Sequence, residues 1–467
     1  MKAAAVLLLA LAATALLIPA GLRHHLVWGG EYHQVLHVLE WLCVLLFTAG
    51  ACVAMQQATR LVQAGRVDLR WIWKGAILLA ILCLVAPPFL SDDVFSYVGR
   101  GRLMALHGGN PYVDKVSSFA EQDPELIAYM KGWADFPLPY GPLLAWLLAG
   151  IAWLAEQLTF LDFAARMWVA VYLYKAINLV VFLLGGVFVS RIASPRGTSA
   201  QGTALLLYLW NPFCLLEFGV NAHNDVFLTT PLLWALLEAS RARHLRAGFG
   251  LLLSSLGKFT SLSLGPFFLA LAWRQKALRP FVGAMVAGLL AYAVTWWCFW
   301  SGPEGLAWIS QQGTIQGTSL QSLLQQLLGG SRDLWKTLGL AVFGLWLVLR
   351  LGSIRGFAAL QVESAILLSI LVVVALPVAS PWYLFWWLPL AILADRRRAA
   401  LALAWLLGPS YSIFLLTRTL DAPHQWLTWS LTLAVPTLLL WLSRRRADAD
   451  IDSAGRADAD IMARTTS

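Results

Sequence analysis

Of 467 residues, 59% are apolar and only 13% charged, against roughly half and a quarter in a globular domain. So little polar surface cannot coat a water-exposed body of this size, which excludes a soluble multidomain enzyme, a disordered chain and a secreted disulfide scaffold. The apolar runs are continuous and rich in Leu and Ala, unlike the alternating strands of a β-barrel, and the net charge of +9 sits in short loops between them, so the chain reads as an all-α polytopic membrane protein and not as a nucleic-acid binder.

The first run, residues 4–21, reads as an uncleaved membrane helix, with a cleaved signal peptide as the alternative. His24, His25, His33 and His37 follow in the first outward loop, close in sequence but better read as loop residues than as a metal site. Spans are expected at 36–56 and 72–90. Residues 91–140 form a long loop with acids and turn signals such as Gly108-Gly109-Asn110-Pro111. The apolar segment 141–158 is assigned to the outer interface, because a crossing there would flip Arg191, Arg196 and every later basic loop. Spans follow at 166–190, 202–219 and 225–240. Residues 247–273, interrupted at Gly257-Lys258 and flanked by basic loops, read as two short helices that enter and return. Beyond them come a span at 281–300, an outward loop at 301–333, spans at 334–350 and 361–379, a short piece at 381–394, and spans at 399–417 and 426–443.

The total is about 13–14 crossings, divided as two N-terminal membrane helices (1–71), a transmembrane module (72–300), the outer loop 301–333, C-terminal transmembrane helices (334–443) and a disordered cytoplasmic tail (444–467) that repeats Arg-Ala-Asp-Ala-Asp-Ile. Loops holding Arg60 to Lys74, Arg191 to Arg196, Arg241 to Arg246, Arg274 to Arg279, Arg350 to Arg355, Arg396 to Arg398 and Arg444 to Arg446 share one side. That side, with both termini, is the cytoplasm. Cys43, Cys52, Cys83, Cys214 and Cys298 lie in apolar runs and suggest neither a disulfide nor a metal site. Most of the 24 tryptophans, Trp382 and Trp386 among them, fall at span ends and read as an interface belt.

Ionised groups beside hydrocarbon are costly unless used or paired, and three places keep them at the outward mouth. The first is Ser91-Asp92-Asp93, where helix capping accounts for one carboxylate more easily than two. The second is Glu217 with Asn221-Ala222-His223-Asn224-Asp225, far more polar than a turn between two spans requires. The third is Lys258, in the break of 247–273, which faces either a phosphate or lipid headgroups. Arg100 and Arg102, about two helical turns past the aspartates, suit a lipid phosphate or the anionic membrane surface. Lys175 inside its span either snorkels or pairs with an acid, and Glu363 pairs with a nearby Arg. No nucleotide-binding, zinc-hydrolase or serine-hydrolase motif occurs in a useful setting.

Taken together, Pro87-Pro88-Phe89-Leu90-Ser91-Asp92-Asp93-Val94-Phe95-Ser96-Tyr97, Asn110-Pro111-Tyr112, Tyr140-Gly141-Pro142-Leu143, Asn211-Pro212, Asn221-Ala222-His223-Asn224-Asp225 and Pro381-Trp382-Tyr383 resemble the GT-C glycosyltransferases. The sequence is most similar to the polyprenol-phosphomannose-dependent alpha-1,6-mannosyltransferases of bacterial envelopes, over about residues 72–395. The resemblance implies a GT-C-like fold in a bacterial plasma membrane, with the active site on the outer face. It further implies a polyprenyl-phosphate sugar donor, a lipid or glycan acceptor, and inverting transfer with Asp92 or Asp93 as general base. Glu217, Asn221, His223, Asn224, Asp225 and Tyr140 are then the expected substrate-binding residues, and Lys258, Arg100 and Arg102 the phosphate-binding ones. No cofactor is assigned, and a divalent metal near Asp92 and Asp225 is an open alternative, since carboxylates can share one. The rival is a transporter or flippase for a lipid-linked sugar, against which stand the lack of an internal repeat and the gathering of acids at one face.

Overall fold

The computed structural model describes residues 34–130, 133–303, 319–419 and 425–442. The expected first span, His24, His25, His33 and the tail lie outside these residues. Among the described residues the chain is helical throughout, without strands. Its helices are α1 (Gln34–Gln63), α2 (Leu69–Val85), α3 (Asp93–His107), α4 (Pro124–Met130), α5 (Pro142–Glu156), α6 (Phe163–Ala193), α7 (Thr198–Leu209), α8 (Val226–Ser240), α9 (His244–Gly257), α10 (Gly265–Arg274), α11 (Leu278–Trp297), α12 (Leu320–Leu328), α13 (Arg332–Leu351), α14 (Phe357–Ile370), α15 (Leu388–Leu393), α16 (Arg397–Thr419) and α17 (Gln425–Leu442). Six helical stretches among the described residues, Leu42–Gln63, Phe163–Arg196, Thr198–Val220, Leu278–Trp297, Arg332–Leu351 and Phe357–Ala375, are long and apolar enough to cross a membrane. The remaining crossings of the expected 13–14 would fall on shorter apolar helices such as α8.

Burial sorts these helices. Residues 202–220 are all buried, while α11 and α13 leave Leu290, Val294, Leu345 and Val348 more than half exposed. Apolar side chains turned outward along whole helices are what a lipid surround requires.

Two hydrophobic clusters organise the interior. The larger gathers α1, α2, α7, α8 and α14 to α16. The smaller binds α3, α5 and the start of α6 around Val94, Tyr97, Leu148 and Tyr174, and so fixes the loop 91–140 against the helical body. The loop's motif residues do this work. Asn110 Nδ2 donates to the Phe299 carbonyl at 2.8 Å, Tyr112 Oη donates to the Tyr140 carbonyl at 2.9 Å, and Leu138 N donates to the Pro111 carbonyl at 2.7 Å. Gly141 N then donates to the Gly257 carbonyl at 3.0 Å. A Cβ at Gly141 would collide with the Leu256 carbonyl, so only glycine permits this approach.

The break expected at Gly257-Lys258 is present. α9 ends at Gly257, Lys258 is extended, and a 3-10 turn over Phe259–Leu264 leads into α10. Pro87-Pro88 ends α2 in the same way, since proline cannot continue the backbone ladder. Glu363 pairs with Arg350 at 2.6 Å, as its neighbourhood suggested.

Candidate functional site

α3 begins at Asp93, with Asp92 in the N-cap position but making no side-chain cap bond. Successive residues at a helix start point about 100° apart, and the fold turns Asp93, not Asp92, inward. Asp93 is buried and Asp92 half-buried. Asp93 Oδ2 lies 3.4 Å from Tyr97 Oη, which donates to it, and 3.5 Å from His223 Nδ1.

His223 is fully buried, and its other nitrogen, Nε2, lies 3.3 Å from Glu217 Oε2. The imidazole stacks on Trp382 with ring centroids 3.7 Å apart and planes at 12°. Ala222 before it has φ of 57°, an uncommon left-handed conformation for a residue with a Cβ. Glu217 rides on a π-helical turn, Leu215–Val220, that continues the buried stretch after Asn211 Oδ1 has capped Phe213 N at 3.1 Å. Such turns recur at functional sites because they displace one side chain from helical register. Tyr411 Oη donates to Glu217 Oε1. The row Tyr411, Glu217, His223, Asp93, Tyr97 therefore joins α16, the π-turn, the Asn221–Asp225 turn and α3. Neither nitrogen of His223 meets a hydrogen-bond partner in good geometry among the described residues, so both contacts are close approaches of a ring nitrogen to a carboxylate.

The second half of the site centres on Asp225, also fully buried. Its Oδ1 accepts from Lys258 Nζ at 2.6 Å and from Trp386 Nε1 at 2.5 Å, while Oδ2 meets no donor among the described residues. Lys258 Nζ also reaches Asn224 Oδ1 at 3.4 Å. Three rings surround that ammonium, Tyr140 at 5.3 Å, Tyr383 at 4.5 Å and Trp386 at 4.9 Å from their centroids, a cage that favours a cation. Burial pushes the phenols of Tyr97 and Tyr140 up, so both remain O–H donors at neutral pH.

Several of the expected residues have partners within the chain. Arg100 and Arg102 both bind groups of the protein. Arg100 is buried and donates to the carbonyls of Ser96, Trp133 and Phe136, and burial lowers its guanidinium from the ordinary arginine range. Arg102 binds Asp123 and Glu156, so it locks the loop to α5. Glu217 and Asn221 lie behind the site and hold it; Asn221 Oδ1 accepts from Leu90 N at 3.2 Å. Lys175 neither snorkels nor pairs with an acid, but binds backbone carbonyls. A metal shared by Asp92 and Asp225 does not fit this donor set, because the Lys258 ammonium already neutralises Asp225, and no group of three His, Cys, Asp or Glu side chains converges as a metal site among the described residues.

Trp382, Tyr383, Trp386 and Tyr411 enter the site without having been expected there. Trp386 is wholly buried and belongs to no interface belt. The available signal was the run Pro381-Trp382-Tyr383, whose proline opens the 3-10 turn that carries Trp382, Tyr383 and Trp386.

Comparison with known proteins shows the family of the chain. The family described as "Alpha-(1->6)-mannopyranosyltransferase, N-terminal domain" matches residues 2–275. Similar proteins include a probable alpha-(1->6)-mannopyranosyltransferase of Mycolicibacterium smegmatis, 27% identical over 71% of this chain and 67% of that protein. An alpha-(1->6)-mannopyranosyltransferase of Mycobacterium tuberculosis is 25% identical over 67% of this chain and 64% of its own length. Alpha-(1->6)-mannopyranosyltransferase B of Corynebacterium glutamicum is 26% identical over 74% and 62%. The chain thus spans about two thirds of the length of these relatives.

Proposed function

The chain belongs to the alpha-(1->6)-mannopyranosyltransferase family, and from this we propose that it is a membrane glycosyltransferase moving a mannosyl group from a polyprenyl-phosphate donor to an envelope lipid or glycan acceptor at the outer face of the plasma membrane. The observation that supports the reading is the approach of Asp93 Oδ2 to a ring nitrogen of the buried His223.

In this reading Asp93 is the general base. It removes the proton from the acceptor hydroxyl as that oxygen forms a bond to the anomeric carbon, while the bond from that carbon to the phosphate oxygen breaks and polyprenyl phosphate leaves with the electron pair. A single displacement inverts the anomeric centre, so an α-linked product requires a β-linked donor. Tyr97 and His223 hold the Asp93 carboxylate, and Glu217 with Tyr411 holds His223. An ammonium has three donors; Asp225 and Asn224 engage two on Lys258, and the third serves the leaving phosphate as its charge develops. Asp92 has no role in the proton transfer.

The test is mannosyl transfer from a synthetic polyprenyl-phosphomannose to lipid and glycan acceptors by wild type and by Asp92→Asn, Asp93→Asn and Asp225→Asn at equal folded yield. Loss of a general base costs about 10²–10⁴-fold, expected for Asp93→Asn with donor binding intact and not for Asp92→Asn. Normal turnover by all three variants, or movement of intact donor across liposomes without transfer, would replace this reading with a transporter.

A further inference from the structure

Lys175 is a wholly buried cation in the middle of α6, outside the site just described. Among the described residues no carboxylate lies within pairing distance of its ammonium. Instead Nζ donates to two carbonyls, that of Ala86 and, at 3.0 Å, that of Val220. Ala86 follows the last residue of α2, and Val220 ends the π-turn. Both are C-terminal helix ends, where carbonyls lack partners and the helix dipole is negative. Pro87-Pro88 prevents α2 from continuing, so its last carbonyls must find donors elsewhere.

The neighbours of Lys175 on the same face repeat the pattern. Tyr172 Oη donates to the Val85 carbonyl at 3.4 Å, and Asn178 Nδ2 donates to the Phe218 carbonyl at 2.8 Å. Tyr172, Lys175 and Asn178 are three apart, which places them in one stripe along the helix. Each meets the end of one of the two segments that lead into the site. Ala86 opens the five-residue connection to Asp92 and Asp93, and Val220 opens the turn that carries His223 and Asp225. The bond from Leu90 N to Asn221 Oδ1 ties the two connections again, closer to the site.

A buried ammonium is expensive wherever an apolar side chain would fill the space. We propose that Lys175 is a positioning residue, a staple that joins the two segments bearing Asp93 and His223 and so sets the separation of base and histidine. The proposal rests on the transfer reading above. Lys175 touches neither donor nor acceptor; it acts through the backbone of the residues that do.

The test uses the full chain in detergent, with kcat and both KM values expressed per folded molecule and thermal unfolding recorded alongside. Lys175→Met keeps the length and removes charge and donors. A displacement of about 1 Å remote from the chemistry can cost about 10²-fold, so kcat is expected to fall about 10–100-fold and by far more than the donor KM rises, since Lys258 keeps the rings of Tyr140, Tyr383 and Trp386 when Asp225 shifts with its turn. A lowered melting temperature with kcat per folded molecule unchanged would make Lys175 merely structural and overturn the proposal. Should Lys175→Met yield no folded protein, Asn178→Leu decides with the ammonium left in place. A loss in kcat of about three- to tenfold is expected there, and an unchanged kcat overturns the proposal equally. Absence of transfer by the wild type would overturn the transfer reading itself, which the other outcomes leave standing.

Discussion

Removing the Lys258 ammonium by Lys258→Met has a cost that follows from the burial of its partner. Asp225 is fully buried, and its carboxylate has two donors from the protein, Lys258 Nζ at 2.6 Å and Trp386 Nε1 at 2.5 Å. Methionine leaves one donor and a buried carboxylate without its countercharge, the situation that costs about 3–5 kcal/mol when one partner of a buried pair is deleted. Asp225→Asn is milder. The cation keeps the faces of Tyr140, Tyr383 and Trp386, each worth about 0.5–2 kcal/mol, so this change costs about 1–3 kcal/mol. The double variant removes both charges, and deleting both members of a buried pair is far cheaper than deleting one. A double-mutant cycle by equilibrium unfolding in mixed detergent should therefore give a coupling of at least about 2 kcal/mol. If Lys258→Met alone costs less than about 1 kcal/mol, or the two single changes simply add, the ammonium is not the countercharge of Asp225 and this account of the site fails.

Three further outcomes are expected. Tyr411→Phe removes the donor to Glu217 Oε1 and should cost about 1–3 kcal/mol in stability, with a fall in kcat larger than any change in donor KM; unchanged kcat would disconnect Glu217 from the catalytic row. Gly141→Ala forces a Cβ against the Leu256 carbonyl, an overpacking worth about 1–3 kcal/mol, and should reduce activity by moving Tyr140 away from Lys258; wild-type activity at equal yield would show that this approach is dispensable. Arg102→Leu removes the one side chain that bridges Asp123 and Glu156, leaving them to His107 and Arg166, and should make the loop 91–140 quicker to cleave in limited proteolysis while leaving donor KM unchanged, whereas a raised donor KM would restore the phosphate role.

What the sequence discloses and what it withholds divide along a physical line. Spans follow from runs of apolar residues, a local property, and helices appear where those runs are, from α1 and α2 through α13 and α14. The polar clusters at Asp92-Asp93 and Glu217 to Asp225 are legible for the same reason, since each is a local excess that a turn or a cap does not need. The break at Gly257-Lys258 is local as well.

The partners of these groups are another matter. Tyr411 meets Glu217 across 194 residues, and Trp386 meets Asp225 across 161; nothing around either aromatic distinguishes it from an interface anchor. Arg100 and Arg102 look like phosphate ligands until the carbonyls of Trp133 and Phe136 and the acids Asp123 and Glu156 are brought to them. Lys175 shows the division within one residue. Its spacing from Tyr172 and Asn178 is written in the chain, and a polar stripe within an apolar span announces that something must satisfy it. The groups it satisfies are backbone carbonyls, which every residue carries, so no residue type could have named them. Only the convergence of two helix ends on one helix face joins the stripe to the segments that lead to Asp93 and His223.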